Sequence, residues 1–292
     1  MTYPSFDLSP LTAASGIETR FLSHGDPIRA HELEDIDALI LLSERFTKNS
    51  IPASGKLSVV ARFGVGYDTV DVEACTQNDI AVCITPDGVR RPVAVSILTL
   101  MLALTGKLLV KDRLTRLGPD GFAARNEHMG LGLVGRTLGS VGIGNIGAEM
   151  FRLAAPFGMK FIAHDPFADL SLASELGVDL VDLDTVFAQS DVISINCPLT
   201  PDTHHLVNTS RLSQMKPTAY LINTARGSIV DQVALTLALR NGSIAGAGLD
   251  VFEVEPPAAD DPILTLDNVI LTPHALCWTD QCFGGIGAAD IA

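Results

Sequence analysis

The stretch that most restricts what this chain can fold into is Leu138-Gly-Ser-Val-Gly-Ile-Gly-Asn-Ile-Gly147. An apolar run of strand character passes straight into a glycine-rich turn, and the turn opens a helical pattern through Met150, Leu153, Ala154 and Phe157. Strand, tight turn and helix start in that order make a cradle of backbone N–H groups suited to a pyrophosphate. Gly142 permits the turn, Gly144 leaves room for close approach, and Gly147 lets the helix pack on the strand. Glycine triplets also arise in ordinary turns, so context decides. Here a second strand, Lys160 to His164, succeeds the helix and ends in Asp165, where an acid accepts hydrogen bonds from both ribose hydroxyls. The stretch predicts a dinucleotide site.

Downstream of it, strands and helices alternate. Helices are expected around 170–176, 183–189 and 231–240, and strands at 192–196, 219–223, 245–249 and 269–271. Such alternation implies a parallel sheet with right-handed crossovers and ligands at the carboxyl ends of its strands. Upstream lies a smaller α/β unit, with expected strands at Thr19 to Leu22, Ala38 to Leu42, Leu57 to Val60 and Ala81 to Ile84. Within it, Arg62-Phe-Gly-Val-Gly-Tyr-Asp68 opens a strand end into a Gly-x-Gly turn whose exposed amides can hold a carboxylate; taken by itself, a plain β-to-α turn is the better reading. Pro92 to Lys111 is expected as a long apolar helix with Pro92 in its first turn, and Arg113 to Gly130 as an exposed loop.

With 292 residues, 47% of them hydrophobic, the chain is long enough for two domains. Its net charge of −14 argues against a nucleic-acid or anionic-membrane surface, so an anionic small molecule would need locally placed Arg. The five cysteines (75, 83, 197, 277 and 282) are scattered and unpaired in spacing, which argues against a disulfide framework or a zinc site; no metal is expected. The amino end lacks the basic and apolar regions of a leader, and the most apolar run, Ile97 to Val110, is interrupted by polar residues, which places the protein in the cytoplasm.

Three ionisable residues sit just past strands where a bound nicotinamide ring would lie: Arg226, Glu255 and His274. The planar fork of Arg matches a carboxylate, and a His paired with a carboxylate suits proton transfer near neutral pH. Asp250 and Glu253 compete with Glu255 for the histidine, and spacing alone does not choose among them. His204 and His205 read as loop residues, and Cys197 as a packed thiol.

Taken together, the motifs resemble the D-isomer-specific 2-hydroxyacid dehydrogenase family. They are Arg62 to Asp68, Gly142 to Gly147, Cys197-Pro-Leu-Thr200, Asn223-Thr-Ala-Arg-Gly227, Asp250-Val-Phe-Glu-Val-Glu-Pro256 and Pro273-His274. The resemblance implies a Rossmann-type doubly wound parallel sheet over 92–274, inserted into a smaller flavodoxin-like α/β substrate domain over 1–91 to which 275–292 returns. It implies that Arg226 grips the substrate carboxylate and keto oxygen, that His274 moves the proton, and that Glu255, rather than Glu253, tunes the imidazole. NAD would be held by Gly142, Gly144, Asn145, Ile146 and Gly147 at the pyrophosphate, with Asp165, Cys197, Pro198 and Thr203 toward the adenosine and Ala225 and Asp250 facing the carboxamide. Val65 and Gly66 would offer amides to the substrate, a 2-hydroxy or 2-keto acid, with Arg62 near a phosphate if there is one. A homodimer is implied, with 113–130 reaching across. NAD is expected over NADP because Asp165 repels a 2′-phosphate and Pro166 to Asp169 offers no cation to hold one.

The substrate stays open between 3-phosphoglycerate, glycerate or hydroxypyruvate, and glyoxylate, since Glu44 stands about where phosphoglycerate enzymes would place a second Arg. Met1 to Ser15 is unconvincing as a first strand, and Ala275 to Asp280, with Trp278, replaces a small-residue turn. Beyond His274 the returning helix is expected to be cut short or absent. An NAD(H)-sensing, corepressor-like binding protein and a truncated inactive relative are the competing expectations.

Overall fold

The computed structural model describes residues 7–22 and 25–291. Along the chain come α1 (Ser9–Thr12), β1 (Ala38–Leu41), β2 (Val59–Arg62), α2 (Val72–Gln77), β3 (Ala81–Ile84), α3 (Pro86–Thr105), α4 (Leu108–Arg116) and α5 (Pro119–Ala123). Next are β4 (Thr137–Val141), α6 (Asn145–Ala154), β5 (Lys160–His164), α7 (Leu170–Glu175), β6 (Val178–Leu180), α8 (Leu183–Gln189) and β7 (Val192–Ile195). The remainder is α9 (Thr209–Gln214), β8 (Tyr220–Asn223), α10 (Gln232–Arg240), β9 (Gly246–Leu249), β10 (Val269–Leu271) and α11 (Asp280–Ile291). They form two compact units, one of Met1–Pro92 with Trp278–Ala292, the other of Val93–Cys277.

In the first unit β1, β2 and β3 pair in that order as a parallel sheet, over a core that includes Leu33, Leu41, Phe46, Val60 and Cys75. Asp71 caps α2 by accepting from the Ala74 amide at 2.9 Å. Thr19 to Leu22, expected as a strand, is not one. Arg20 turns its guanidinium to Asp35 at 2.9 Å and to the Glu32 carbonyl at 2.7 Å, and Phe21 is exposed, so the run lacks a buried face to pair on. Met1 to Phe6 lie outside the described residues, and Ser9–Thr12 form a single helical turn. The helix expected to be short or absent does form as α11, burying Cys282, Phe283 and Ile286. It packs on Gly88, where a Cβ would fall 2.6 Å from the Ile286 nitrogen. Trp278 stands edge-on to Phe283, with ring centroids 5.3 Å apart.

The second unit is a parallel sheet in the order β6-β5-β4-β7-β8-β9-β10. β7, β8 and β9 are buried at every residue, which explains why their sequences are apolar runs without alternation: helices cover both faces. On one face Phe187, Leu212, Leu235 and Leu239 pack against Ile193 and Leu221. On the other, Ile97, Met101, Met150 and Phe151 pack against Leu138 and Phe161. Asp169, Asp182, Asn208 and Asp231 cap α7, α8, α9 and α10 through their side chains. Because β4 has β5 on one side and β7 on the other, the strand order reverses there. That switch point opens a crevice at the carboxyl ends.

Two expectations for this region are corrected. α3 starts at Pro86, with Pro92 inside it. The ring costs the helix one i→i−4 bond, but burial of Val89 before it and of Ala94 and Ile97 after it carries the helix through. Arg113 to Gly130 is not a loop but the end of α4, then α5 and a 3-10 turn over Ala124–Glu127. α4 buries none of its residues, so its composition resembles that of a loop; the Asp112–Arg116 pair at 2.8 Å and basic residues in its last turn support it instead. α3 is long and apolar enough to cross a membrane; Ile97, Leu100, Met101 and Leu104 place it in the core beside Met150.

Candidate active site

The glycine turn sits at the switch point. Gly142 adopts φ +97°, and a Cβ there would come within 2.9 Å of the Asn196 carbonyl and the Cys197 nitrogen. Only glycine lets the β4 and β7 ends touch in this way. Ser140 Oγ donates to the Gly142 carbonyl at 2.5 Å and accepts from Asn196 Nδ2 at 2.8 Å, which fixes both ends. Gly147 packs against the Gly142 carbonyl, where a Cβ would lie 2.6 Å away. A Cβ on Gly144 would instead meet open space, and no side chain caps α6 at that residue. The first-turn amides of α6, those of Asn145, Ile146 and Gly147, therefore face a cradle suited to a diphosphate. Asp165, at the end of β5, accepts from the Ile143 amide at 3.0 Å and the Phe167 amide at 2.9 Å, which ties it to the same turn. After β7, Thr203 Oγ1 donates to the Pro198 carbonyl and accepts from the Thr200 amide, both at 2.7 Å, and closes the segment carrying Cys197 and Pro198. Burial pushes the Cys197 thiol up to about 11, its own amide opposing and Asp165 reinforcing. The residues fit a dinucleotide, and Cys197 is a packing group within them.

Next along the sheet, β8 ends in Asn223, whose side chain accepts from the Ala225 amide at 3.0 Å and donates to the Arg226 carbonyl at 2.9 Å. Asn223 is 1% exposed and pins the turn that presents Arg226. A Cβ on Gly227 would overlap the carbonyl carbon and oxygen of Phe252, so glycine alone allows the β8 and β9 loops to lie against each other. That contact brings the Glu255 segment toward Arg226, whose Nη1 donates to the Ala225 carbonyl at 2.7 Å.

Past β9, Glu255 uses one oxygen to accept from the Phe252 amide at 2.8 Å and the other to meet His274 Nδ1, also at 2.8 Å. Burial disfavours the Glu255 charge, but the His274 ring, the Phe252 amide and the Arg226 charge together outweigh it and hold the carboxyl below its ordinary range. His274 has φ +53°, a left-handed conformation that costs about 1–2 kcal/mol in a residue with a Cβ. The strain is held by Asp250, 4% exposed, which accepts from Thr272 Oγ1 at 2.6 Å and from the Ala275 and Leu276 amides at 3.1 Å. With Nδ1 on Glu255, the imidazole turns Nε2 away from the carboxylate, and its side chain remains 43% exposed.

The three acids that spacing could not rank thus have separate partners. Asp250 braces the His274 turn, Glu255 takes His274, and Glu253 meets His205 Nε2 at 2.5 Å. Sequence reasoning quoted Asn223 and Gly227 within a motif but gave neither of them, nor Thr272, a positioning role; a glycine directly after Arg226 was the one signal available. Arg62, Val65 and Gly66 lie in the first unit, at the end of β2 and in the bend after it. Thr85 ties the neighbouring Gly64, accepting from its amide at 2.9 Å and donating its own amide to the Gly64 carbonyl at 2.8 Å. The Arg62 guanidinium donates to the Phe63 carbonyl, and burial pushes the Asp290 carboxyl up to about 6 with Arg62 opposing.

Residues 98–275 match the model of the D-isomer specific 2-hydroxyacid dehydrogenase family, NAD binding domain. The chain is 42% identical over 245 residues to a glyoxylate reductase of Korarchaeum cryptofilum, spanning 83% of this chain and 74% of that protein. It is 37% identical over 257 residues to a D-3-phosphoglycerate dehydrogenase of Archaeoglobus fulgidus, spanning 88% of this chain and 48%, about half, of that one. Among solved structures, D-lactate dehydrogenase from Aquifex aeolicus complexed with NAD and lactic acid superposes with a TM-score of 0.81 at 32% identity, covering 90% of this chain and 83% of that one.

Proposed function

Because this chain belongs to the D-isomer specific 2-hydroxyacid dehydrogenase family, an NAD-dependent oxidoreductase family acting on small hydroxy and keto acids, we propose that Arg226, Glu255 and His274 are the residues that perform its reaction. The observation that carries this is the placement of all three at adjacent strand ends, with His274 Nδ1 on Glu255. When bound, NAD supplies the hydride acceptor or, reduced, the donor. Arg226 binds the carboxylate and polarises the carbonyl oxygen. His274 Nε2 gives a proton to that oxygen in reduction and takes it in oxidation, while Glu255 orients the ring and stabilises its charged form. Gly142 to Gly147 hold the pyrophosphate, Asp165 the ribose, and Ala225 the carboxamide, with Val65 and Gly66 offering amides to the substrate.

The substrate is a small unphosphorylated 2-keto acid of the glyoxylate or hydroxypyruvate type. Glu44, acidic at a position where a phosphate would call for a base, supports this over 3-phosphoglycerate. The protein works as a homodimer, a reading supported by the exposed Leu108, Leu117, Phe122 and Met129 along α4, α5 and the residues after them. Five free cysteines support a cytoplasmic setting.

The test is NADH consumption with glyoxylate, hydroxypyruvate, pyruvate and 3-phosphohydroxypyruvate offered in turn, beside Arg226→Ala. Turnover of the unphosphorylated acids that disappears in the variant is expected. NADH binding without turnover of any of them would overturn the reading in favour of a nucleotide-sensing protein. Sedimentation mass decides the dimer.

A further inference from the structure

His205 and Glu253 are far apart in sequence, yet their side chains meet at 2.5 Å. Beside them the His204 ring stacks on His205, centroids 4.1 Å apart and planes inclined by 26°. One ligand atom from each of His204, His205 and Glu253 lies within 4.8 Å of the others. We propose that these three side chains form a binding site for one divalent transition-metal ion of the Zn²⁺ or Ni²⁺ class, on the loops after β7 and β9. The proposal is independent of the reaction assigned above.

Two imidazoles and a carboxylate are the borderline nitrogen and oxygen donors such ions prefer, and three protein ligands leave a position for water. Tetrahedral bonds of about 2.0–2.2 Å set neighbouring donors about 3.4 Å apart, so the ion would part His205 Nε2 from Glu253 Oε1, now at 2.5 Å, and draw in His204, which is exposed and open to rotation. The other two ligands are already held. His205 takes a left-handed backbone, φ +49°, fixed by its amide on the Ser228 carbonyl at 2.9 Å. Glu253 receives the Gln232 amide at 3.3 Å on its second oxygen, while its own amide donates to Gln232 Oε1 at 3.1 Å. Gln232 Nε2 is anchored on Asp261 at 2.7 Å. Outer partners of this kind are what orient metal ligands. A cation in place of the hydrogen bond between His205 and Glu253 would join the segment of Thr203 to the segment of Glu255, a clasp across two of the loops proposed to frame the nucleotide.

The experiment uses the full chain without an affinity tag, stripped with a chelator and then titrated with Co²⁺ while visible d–d absorption is monitored, and with Zn²⁺ by calorimetry. Wild type is expected to bind one ion per chain at micromolar concentration, with a rise in Tm. His204→Ala, which removes an exposed ring, and Glu253→Gln should each weaken binding by at least about tenfold and abolish the Tm rise. Intact far-UV circular dichroism and NADH fluorescence certify the fold; should Glu253→Gln fail there, His204→Ala decides alone. No binding at micromolar ion, or binding of equal strength in His204→Ala, would overturn the site.

Discussion

His274 offers Nδ1 to Glu255 Oε2 at 2.8 Å from a left-handed backbone. Two costs, a strained turn and a half-buried carboxylate, converge on one hydrogen bond. Glu255→Gln keeps the shape but loses the charge that favours the imidazolium. We expect kcat to fall by about 10²-fold or more with KM changed only a few-fold, as removal of a proton-transfer partner does. Steady-state NADH kinetics check this, and an equal fall in kcat and rise in KM would instead assign Glu255 to substrate binding.

Gly227 is a steric requirement at the same site. In Gly227→Ala the new methyl runs into the Phe252 carbonyl, and neither backbone has room to give. Overpacking of about 1–3 kcal/mol is expected, read as a Tm lowered by at least about 2 °C. Activity should fall further than stability, since Arg226 and Glu255 part. An unchanged Tm would mean that the two loops are not in contact in solution.

Asp165, proposed to hold the ribose, also serves the turn, because one of its oxygens accepts from the Ile143 amide. Asp165→Ala should raise the KM for NADH and lower the preference for NADH over NADPH by at least about tenfold, about 1.4 kcal/mol. The ratio of kcat/KM for the two cofactors measures it, and a ratio unmoved by the change would remove Asp165 from cofactor selection.

Cys197 carries a pH prediction. Its folded pKa, about 11, stands above the ordinary 9.0. The neutral thiol is thus the favoured native form, and the stability it contributes is complete below the ordinary value and lost as pH rises toward 11. The loss amounts to about 2 kcal/mol. Urea melts of wild type and Cys197→Ala between pH 8 and 11 should diverge in that direction. At pH 8 a thiol reagent should label the exposed Cys83 in the native protein and Cys197 only after denaturation.

The cradle was legible in sequence because a pyrophosphate site is made of backbone: Gly142 and Gly147 stand where a Cβ would collide, and Gly144 leaves the helix start open. The strands of the large sheet other than β6 were legible too, since parallel strands buried on both faces must be apolar throughout; β6, a short edge strand only partly buried, left no such run. α4 and α5 were not, because helices that bury no large apolar side chain have the composition of a loop, and Gly118 and Gly121 strengthened that impression. Nor could spacing choose among Asp250, Glu253 and Glu255. All three sit on one irregular segment whose path is set by Gly227, and their partners at Thr272, His205 and His274 are distant in the chain. The resemblance pointed to Glu255, and the fold pairs it with His274.

β4 is hydrogen-bonded along its length to β5 and to β7, with no edge open to solvent. Amides from Leu138 to Val141 should therefore be among the last in the second unit to exchange with deuterium, released only when that unit opens as a whole. Heating would then spare the nucleotide cradle until the sheet itself melts. The temperature at which NADH is lost and the temperature of unfolding become a single event.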